Sequence, residues 1–431
     1  MPTIPHPPKL EVTTAFAGLL VASLFAIAPA SAVEPAWPEL QLEPVASGLD
    51  LPYDLTHAGD GSGRLFVALA DGRVQIVDAD GVRPEPFLDI RDRVDCCGER
   101  ALTAIAFGPT YRDDGHFFVL YAAESTGGSR LSRFTVSSDP DRADPASEEV
   151  LLDIPQPSLA HNANDLAFGA DGYLYVATGD GGERQDPCRR AQDPGQLLGK
   201  VLRLDVATVP YTVPSDNPFV GVTGARDEVW ALGLRNPWRM ALDRVSGELL
   251  IGDAGEARFE EVNVIGPSEG AVNFGWNLME GEACFSTEEA CESGLAFEPG
   301  LACGDPALRR PALSRCHAGV PGCVENECAI IGGFRYRGHR SPDFRGVYVF
   351  SDWCHGDIWG ARDVDGAWQS RRLLETSFSP LSFGEGEDGD LYLLVAEDGQ
   401  VLRLRDLNDG FADDFESGTL AAWSEVVGAL P

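Results

Sequence analysis

The sequence predicts an all-β chain, specifically a six-bladed β-propeller with a disulfide-rich loop insert, and three observations point there. A Gly-led turn followed by an apolar or aromatic strand recurs six times, helical 3.6-residue periodicity is nearly absent, and six of the ten cysteines crowd one stretch.

The recurring strands are Leu65-Phe66-Val67, Phe117-Phe118-Val119, Leu174-Tyr175-Val176, Leu249-Leu250-Ile251, Val347-Tyr348-Val349 and Leu391-Tyr392-Leu393. Each is followed after a loop by a second strand: Val74 to Val77, Leu131 to Phe134, Val201 to Leu204, Val262 to Ile265, Asp357 to Trp359 and Val401 to Leu404. Alternating apolar residues joined by Asp-Gly or Ser-Gly turns make each pair a hairpin. An immunoglobulin-like array is the competing all-β reading, but its domains of about 100 residues would not share one core motif at this spacing.

The first 32 residues carry Lys9, an apolar run from Phe16 to Ile27 and Ala30-Ser31-Ala32, the pattern of a secretory signal peptide with an A-x-A cleavage site. Residues 33–406 are expected to form the propeller, with the Cys-rich insert at 281–330, and residues 407–431 an acidic C-terminal tail. The apolar run is too short to span a bilayer and no later segment is long enough, so an exported protein, periplasmic or secreted, without membrane insertion is expected.

Cys284, Cys291, Cys303, Cys316, Cys323 and Cys328 contain no CxxC pair and have only His317 nearby, which favours disulfides over zinc. Three local bridges are expected within the insert, in any of 15 connectivities. Cys96 and Cys97 are adjacent and are expected to pair outward, with Cys188 and Cys354 as candidates. The formal charge of −35 disfavours nucleic acid and anionic lipid as partners and attracts cations.

The loops that open the repeats should meet at one rim. They hold Glu99, His161, Arg235, Asn236 and the run Gly252-Asp253-Ala254-Gly255-Glu256, followed by Glu260-Glu261. An imidazole, a guanidinium, a carboxamide and several carboxylates around one mouth could orient a polyol, an anionic cofactor and calcium. His161 could serve as a general base near neutral pH. Each also has a plain structural reading: a loop histidine on a backbone carbonyl, an Asn closing a turn, a solvated pair of glutamates.

At these segments the chain resembles the soluble quinoprotein glucose dehydrogenase and sorbosone dehydrogenase family, which includes aldose sugar dehydrogenases and hedgehog-interacting proteins. The resemblance runs from Leu51-Pro52 to Gly389-Asp390-Leu391-Tyr392. Its markers include Glu99 with Ile105-Ala106-Phe107, His161 with Leu166-Ala167-Phe168, Gly195 to Arg203, Arg235-Asn236-Pro237, Asn273-Phe274-Gly275-Trp276, Gly332 to Tyr336 and Gly346 to Asp352. It implies pyrroloquinoline quinone (PQQ) over the channel and a calcium ion beneath it. His161 then matches the base that deprotonates a sugar's anomeric hydroxyl; Glu99, Arg235 and Asn236 match cofactor contacts; and the carbonyls of Gly255 and Glu256 match calcium ligands.

Two departures set this chain apart. Family members hold the cofactor's three carboxylates with basic residues of the last two blades, whereas the corresponding stretches here, Asp352 to Gly356 and Thr376 to Phe383, contain neither Lys nor Arg. Arg335 is left as a substitute cation beside Arg235, since Lys200, the only lysine after Lys9, belongs to a strand placed away from the rim. The acidic residue that precedes the base in glucose-oxidising members is Ala160 here. Two readings follow: a divergent quinone-dependent aldose dehydrogenase acting on a small sugar with an unidentified electron acceptor, or a non-catalytic, calcium-binding propeller that binds saccharide or protein. A lactone hydrolase is a third class, on fold analogy alone.

Overall fold

The computed structural model describes residues 36–408 except 288, 293, 295, 325 and 326. The expected signal peptide and all of the acidic tail beyond Asn408 lie outside the described residues. The described chain is nearly all β-strand, with a single four-residue helix at Tyr111–Asp114 and a short 3₁₀ turn at Glu397–Gly399. None of its helices is long and apolar enough to cross a membrane.

Every recurring strand and its partner is paired antiparallel, for example Leu65–Leu69 with Arg73–Asp78 and Leu174–Thr178 with Lys200–Leu204. Each hairpin gains a further strand on its inner side: Pro52–His57, Leu102–Phe107, Ala163–Phe168, Pro237–Leu242, Ile330–Ile331 and Pro380–Glu385. The stretches before the second and fourth copies, read from sequence as loops, therefore enter strands. Each inner strand packs against the next, and the last packs against the first, so the six form a closed circuit around a channel. Leu40–Ala46 pairs antiparallel with Gln400–Asp406, so the start of the described chain supplies the outer strand of the sheet that ends it. This pairing joins the two ends of the described chain in one sheet.

Between neighbouring sheets lie apolar clusters, one built on Phe66, Phe87, Phe117 and Phe134, another on Leu131, Val176, Leu202 and Val229. Inside the circuit the interactions are polar. Asp54 accepts hydrogen bonds from Leu55 N at 2.8 Å and from Ile105 N of the next inner strand at 2.8 Å. Asp165 repeats the device with Leu166 N at 2.9 Å and Met240 N at 2.8 Å. Arg239 bridges them: its guanidinium donates to Asn164 O at 2.8 Å and to Tyr53 O, and lies 3.5 Å from Asp165.

Five inner strands carry a β-bulge at the same point of their register, at Pro52/Asp54, Leu102/Ala104, Ala163/Asp165, Pro237/Arg239 and Pro380/Ser382. A bulge adds a residue and re-aims its side chain. The residues passed over are Tyr53, Thr103, Asn164, Trp238 and Leu381.

The disulfides correct two expectations. Cys96 and Cys97 bond each other rather than pairing outward. Within the insert only Cys284–Cys303 and Cys316–Cys323 are local, while Cys291 reaches Cys188 and Cys328 reaches Cys354. The insert is thus tied to two sheets, and the pairing partners expected for Cys96 and Cys97 are already used.

Burial pushes the Asp54 carboxyl up and the Asp165 carboxyl to about 7, with Arg239 opposing both shifts. Arg239→Met should therefore cost roughly 3–5 kcal/mol at pH 8, because it leaves buried carboxylates without a cation. The loss should be smaller at pH 5, below the raised pKa of Asp165, where that acid is protonated. Urea midpoints of the two proteins at the two pH values measure this.

Candidate functional site

The histidine singled out from sequence stands just before the inner strand Ala163–Phe168, with a backbone φ of 51°, in the left-handed region. A non-glycine residue there is uncommon. Its amide donates to Glu99 Oε2 at 2.6 Å, which joins two of the predicted loops. Its Nδ1 lies 2.7 Å from Asp180 Oδ1, and the imidazole is mostly covered while Asp180 is fully buried. Asp180 is further held by Trp276 Nε1 at 2.8 Å and Gly182 N at 2.9 Å. Burial works against ionisation of Asp180, but His161 and Arg235 outweigh it and its pKa falls below the ordinary value. An ionised Asp180 accepts from Nδ1 and leaves Nε2 as the basic nitrogen.

Asp180 was absent from the residues chosen by sequence. Ala160, the neighbour in the chain, carries no charge, and the partner comes from the loop after the paired strand. The Gly-Asp-Gly-Gly run was the available signal. A Cβ at Gly179 would collide with the His161 carbonyl, and one at Gly182 with the Ala160 carbonyl, so this close approach requires glycine.

Arg235 and Asn236 lie next to the pair. The amides of both donate to the buried Asp253, Asn236 N at 2.7 Å and Arg235 N at 3.0 Å. Asn236 Oδ1 accepts from Asn164 Nδ2 at 2.7 Å. The Arg235 guanidinium stacks over Trp276 at 5.6 Å, donates to Ala254 O at 2.9 Å and pairs with Glu256 at 2.6 Å. Its charge is therefore matched by a carboxylate of the same site. Arg184 also reaches Glu256, at 3.3 Å. Arg335 is not part of this group: its guanidinium is bound to Asp243 at 2.8 Å and to Glu248. Lys200 is buried, its ammonium capped by the carbonyls of Arg190, Ala191 and Leu198, and burial lowers its pKa to about 7.

The loop with Gly255 and Glu256 winds around one carboxylate oxygen. Glu280 Oε1 accepts from the amides of Glu256, Ala257, Arg258 and Phe259 at 2.8–3.3 Å. Glu280 Oε2 is buried without a hydrogen-bond partner. A side chain at Gly255 would collide with Phe259 O, so the turn can close only on glycine. Burial, reinforced by Glu261, raises Asp253 well above its usual value, and burial raises Glu261 to about 7.

Above the bulges lies a cavity of about 280 Å³. It is lined by Tyr53, Glu99, Trp238, Trp353, Leu381 and the backbone and side chains of Ala329 to Ile331, among others. Three of the five bulge residues, Tyr53, Trp238 and Leu381, face it. None of its lining residues is Lys, Arg or His. A tricarboxylate needs cationic partners when desolvated. With Arg235 and Arg184 both engaged on Glu256 and no Lys, Arg or His among the lining residues, the described side chains do not fit PQQ. The Gly255 and Glu256 carbonyls and the unpartnered Glu280 oxygen, by contrast, are donors of the kind a hard cation takes.

The Glucose / Sorbosone dehydrogenase family model matches residues 49–309. The human Hedgehog-interacting protein is 30% identical over 82% of this chain and 50% of its own length. The Escherichia coli aldose sugar dehydrogenase YliI is 28% identical over 56% of this chain and 62% of its own. A Thermus thermophilus structure, described as that of an oxidoreductase of glucose dehydrogenase type, superposes with a TM-score of 0.66 at 26% identity, covering 85% of this chain and 100% of that one. The chain spans 50–59% of the length of the human Hedgehog-interacting protein and of the Arabidopsis thaliana HIPL1 and HIPL2 proteins.

Glu280→Gln removes the charge that gathers four amides. Hydrogen exchange at Glu256, Ala257, Arg258 and Phe259 should accelerate by about tenfold or more, consistent with about 1.5–3 kcal/mol for hydrogen bonds to a charged group. Mass spectrometry of exchange in that loop, with the Leu174–Thr178 strand as the unchanged reference, checks this.

Proposed function

The chain belongs to the glucose/sorbosone dehydrogenase family, and we propose that within it this protein is an exported propeller that binds a small neutral or cationic ligand at its channel mouth without seating the tri-anionic quinone. One observation carries this reading: the Arg235 guanidinium is paired with Glu256 at 2.6 Å, while the residues that line the cavity supply the Glu99 carboxylate and no basic group. A tri-anion entering there would meet a carboxylate on a low-dielectric wall. Neutral and cationic molecules meet no such barrier. Kinship with the hedgehog-interacting proteins, named for binding, is consistent with a binding role.

Calcium belongs to this reading as a resident ion. The carbonyls of Gly255 and Glu256, with Glu280, would hold it and stiffen the loop that carries Arg235's partner. Addition of calcium at about 1 mM to chelator-treated protein should raise the melting temperature by several degrees, as ligand linkage requires. An unchanged melt in calcium and in chelator would remove the ion from the account.

A second reading, aldose oxidation, is favoured by the His161–Asp180 pair. With Nδ1 directed at Asp180, His161 Nε2 can take a hydroxyl proton from a sugar, and Trp276 keeps Asp180 from rotating away. The quinone, when bound in a family member, supplies the two-electron acceptor.

Titration of calcium-loaded protein with PQQ, followed by absorbance and then by a panel of aldoses, separates the two. The binding reading expects no saturable change at tens of micromolar quinone and no sugar-dependent reduction. Saturable binding with reduction that His161→Ala abolishes would establish the dehydrogenase instead.

A further inference from the structure

The cavity above the bulges has a chemistry of its own. Tyr53 and Trp238 meet edge to face with ring centroids 6.0 Å apart, forming an aromatic corner. Trp353 stands at the rim, 41% exposed although aromatic. The polar handles of the two corner rings are already used: Tyr53 Oη donates to Gly98 O at 2.9 Å and Trp238 Nε1 to Leu381 O at 2.9 Å. The donors of both rings are thus spent; the Arg239 guanidinium already lies over the Trp238 ring at 5.6 Å, and Tyr53 and Trp353 bring further aromatic surface to the lining. Leu381, Ile330 and Ile331 complete a wall that cannot hydrogen-bond through its side chains.

Against this wall stands one carboxylate. Glu99 lines the cavity, and one of its oxygens is anchored by His161 N at 2.6 Å, which fixes the group in place. Burial raises the Tyr53 phenol against the opposing charge of Arg239, and Glu99 adds to the rise, so the ring beside the carboxylate stays neutral. Besides Glu99, the lining offers the Asn236 carboxamide, whose oxygen is already taken by Asn164, so a saccharide would find few donors and acceptors here for its hydroxyls. An anion would be repelled by Glu99. What remains is a cation that makes no hydrogen bonds of its own: aromatic faces attract it through their quadrupoles and a fixed carboxylate balances its charge. The overall charge of −35 favours its arrival.

We propose that this cavity is an aromatic cage for a small alkylammonium ion, with Tyr53, Trp238 and Trp353 as its walls and Glu99 as the counter-charge. At about 280 Å³ the space suits a trimethylammonium head with a short tail. The assignment deepens the reading of the mouth as a site for a neutral or cationic ligand and rests on it.

The test is isothermal titration of the full protein with choline, and with 3,3-dimethylbutan-1-ol, in which carbon replaces the charged nitrogen at nearly constant shape. Choline should bind saturably and the neutral isostere at least tenfold more weakly. Trp353→Ala, at an exposed position, and Glu99→Gln should each weaken choline binding at least fivefold while the thermal melt stays cooperative. Equal binding of the two compounds, unchanged affinity in both variants, or no heat up to about 50 mM choline would overturn the cage. Sedimentation with phosphatidylcholine vesicles then assigns the source: protein that pellets reads a lipid headgroup, protein that stays in the supernatant reads the free ion, and both support the cage. Failure of choline together with failure of PQQ removes the cage alone, whereas saturable PQQ binding removes the reading it rests on.

Discussion

The carboxylate clasps between inner strands are the constraint on which the rest of the molecule hangs. Asp54 and Asp165 each bind one amide of their own strand and one of the next, so they set both the spacing and the stagger of neighbouring sheets. Arg239 spans the channel between them and reaches the backbone of two other inner strands. Because each clasp sits immediately beyond a bulge, the residue ejected by the bulge is delivered to the channel end with little freedom. Tyr53 arrives at the cavity for this reason, while Trp238 and Leu381 reach it from the corresponding bulges of their own strands.

Around that mouth almost every charge has a fixed counterpart. Asp180 faces His161, Glu256 faces Arg235, Asp253 takes the amides of Arg235 and Asn236, and Glu280 takes four amides of one loop. A site wired this way is rigid and needs little reorganisation when a ligand enters. It also leaves few unmatched charges for the ligand: Glu99 on the cavity wall is a negative one, and Arg184 shares Glu256 with Arg235. The imidazole–carboxylate pair of His161 and Asp180 thus stands beside a mouth whose electrostatics differ from what a quinone tricarboxylate requires.

Much of this was legible in the chain. The hairpins announced themselves because their strands alternate cleanly and their turns are Asp-Gly or Ser-Gly. The inner strands are harder to read: they are bulged, and polar residues such as Asp54, Asn164 and Arg239 interrupt the alternation, so the stretch from Leu234 to Arg239 reads as loop although a strand begins at Pro237. Leu40–Ala46 pairs with a strand at the far end of the chain, a contact no local pattern encodes. Glu99, His161, Arg235, Asn236, Gly255 and Glu256 were found through their place in the repeat. Asp180 and Glu280 were not, since each acts across space on a residue about 20 or more positions away. Cysteine content identified the bridges as a class but left their connectivity open, and the expected outward pairing of Cys96 and Cys97 took no account of the bond the adjacent pair forms.

Lys200 has a further use as a reporter. Beyond Lys9 it is the only lysine in the chain, and its ammonium sits against three carbonyls with no exposure to solvent. Arginine carries the positive charge of the described surface, and guanidinium does not condense with aldehydes as an amine does. Reducing sugars and acylating reagents therefore find no lysine amine on the folded propeller. Acylation of Lys200 can occur only when its sheet opens, so the rate at which that one side chain is modified is a clock for the breathing of the ring.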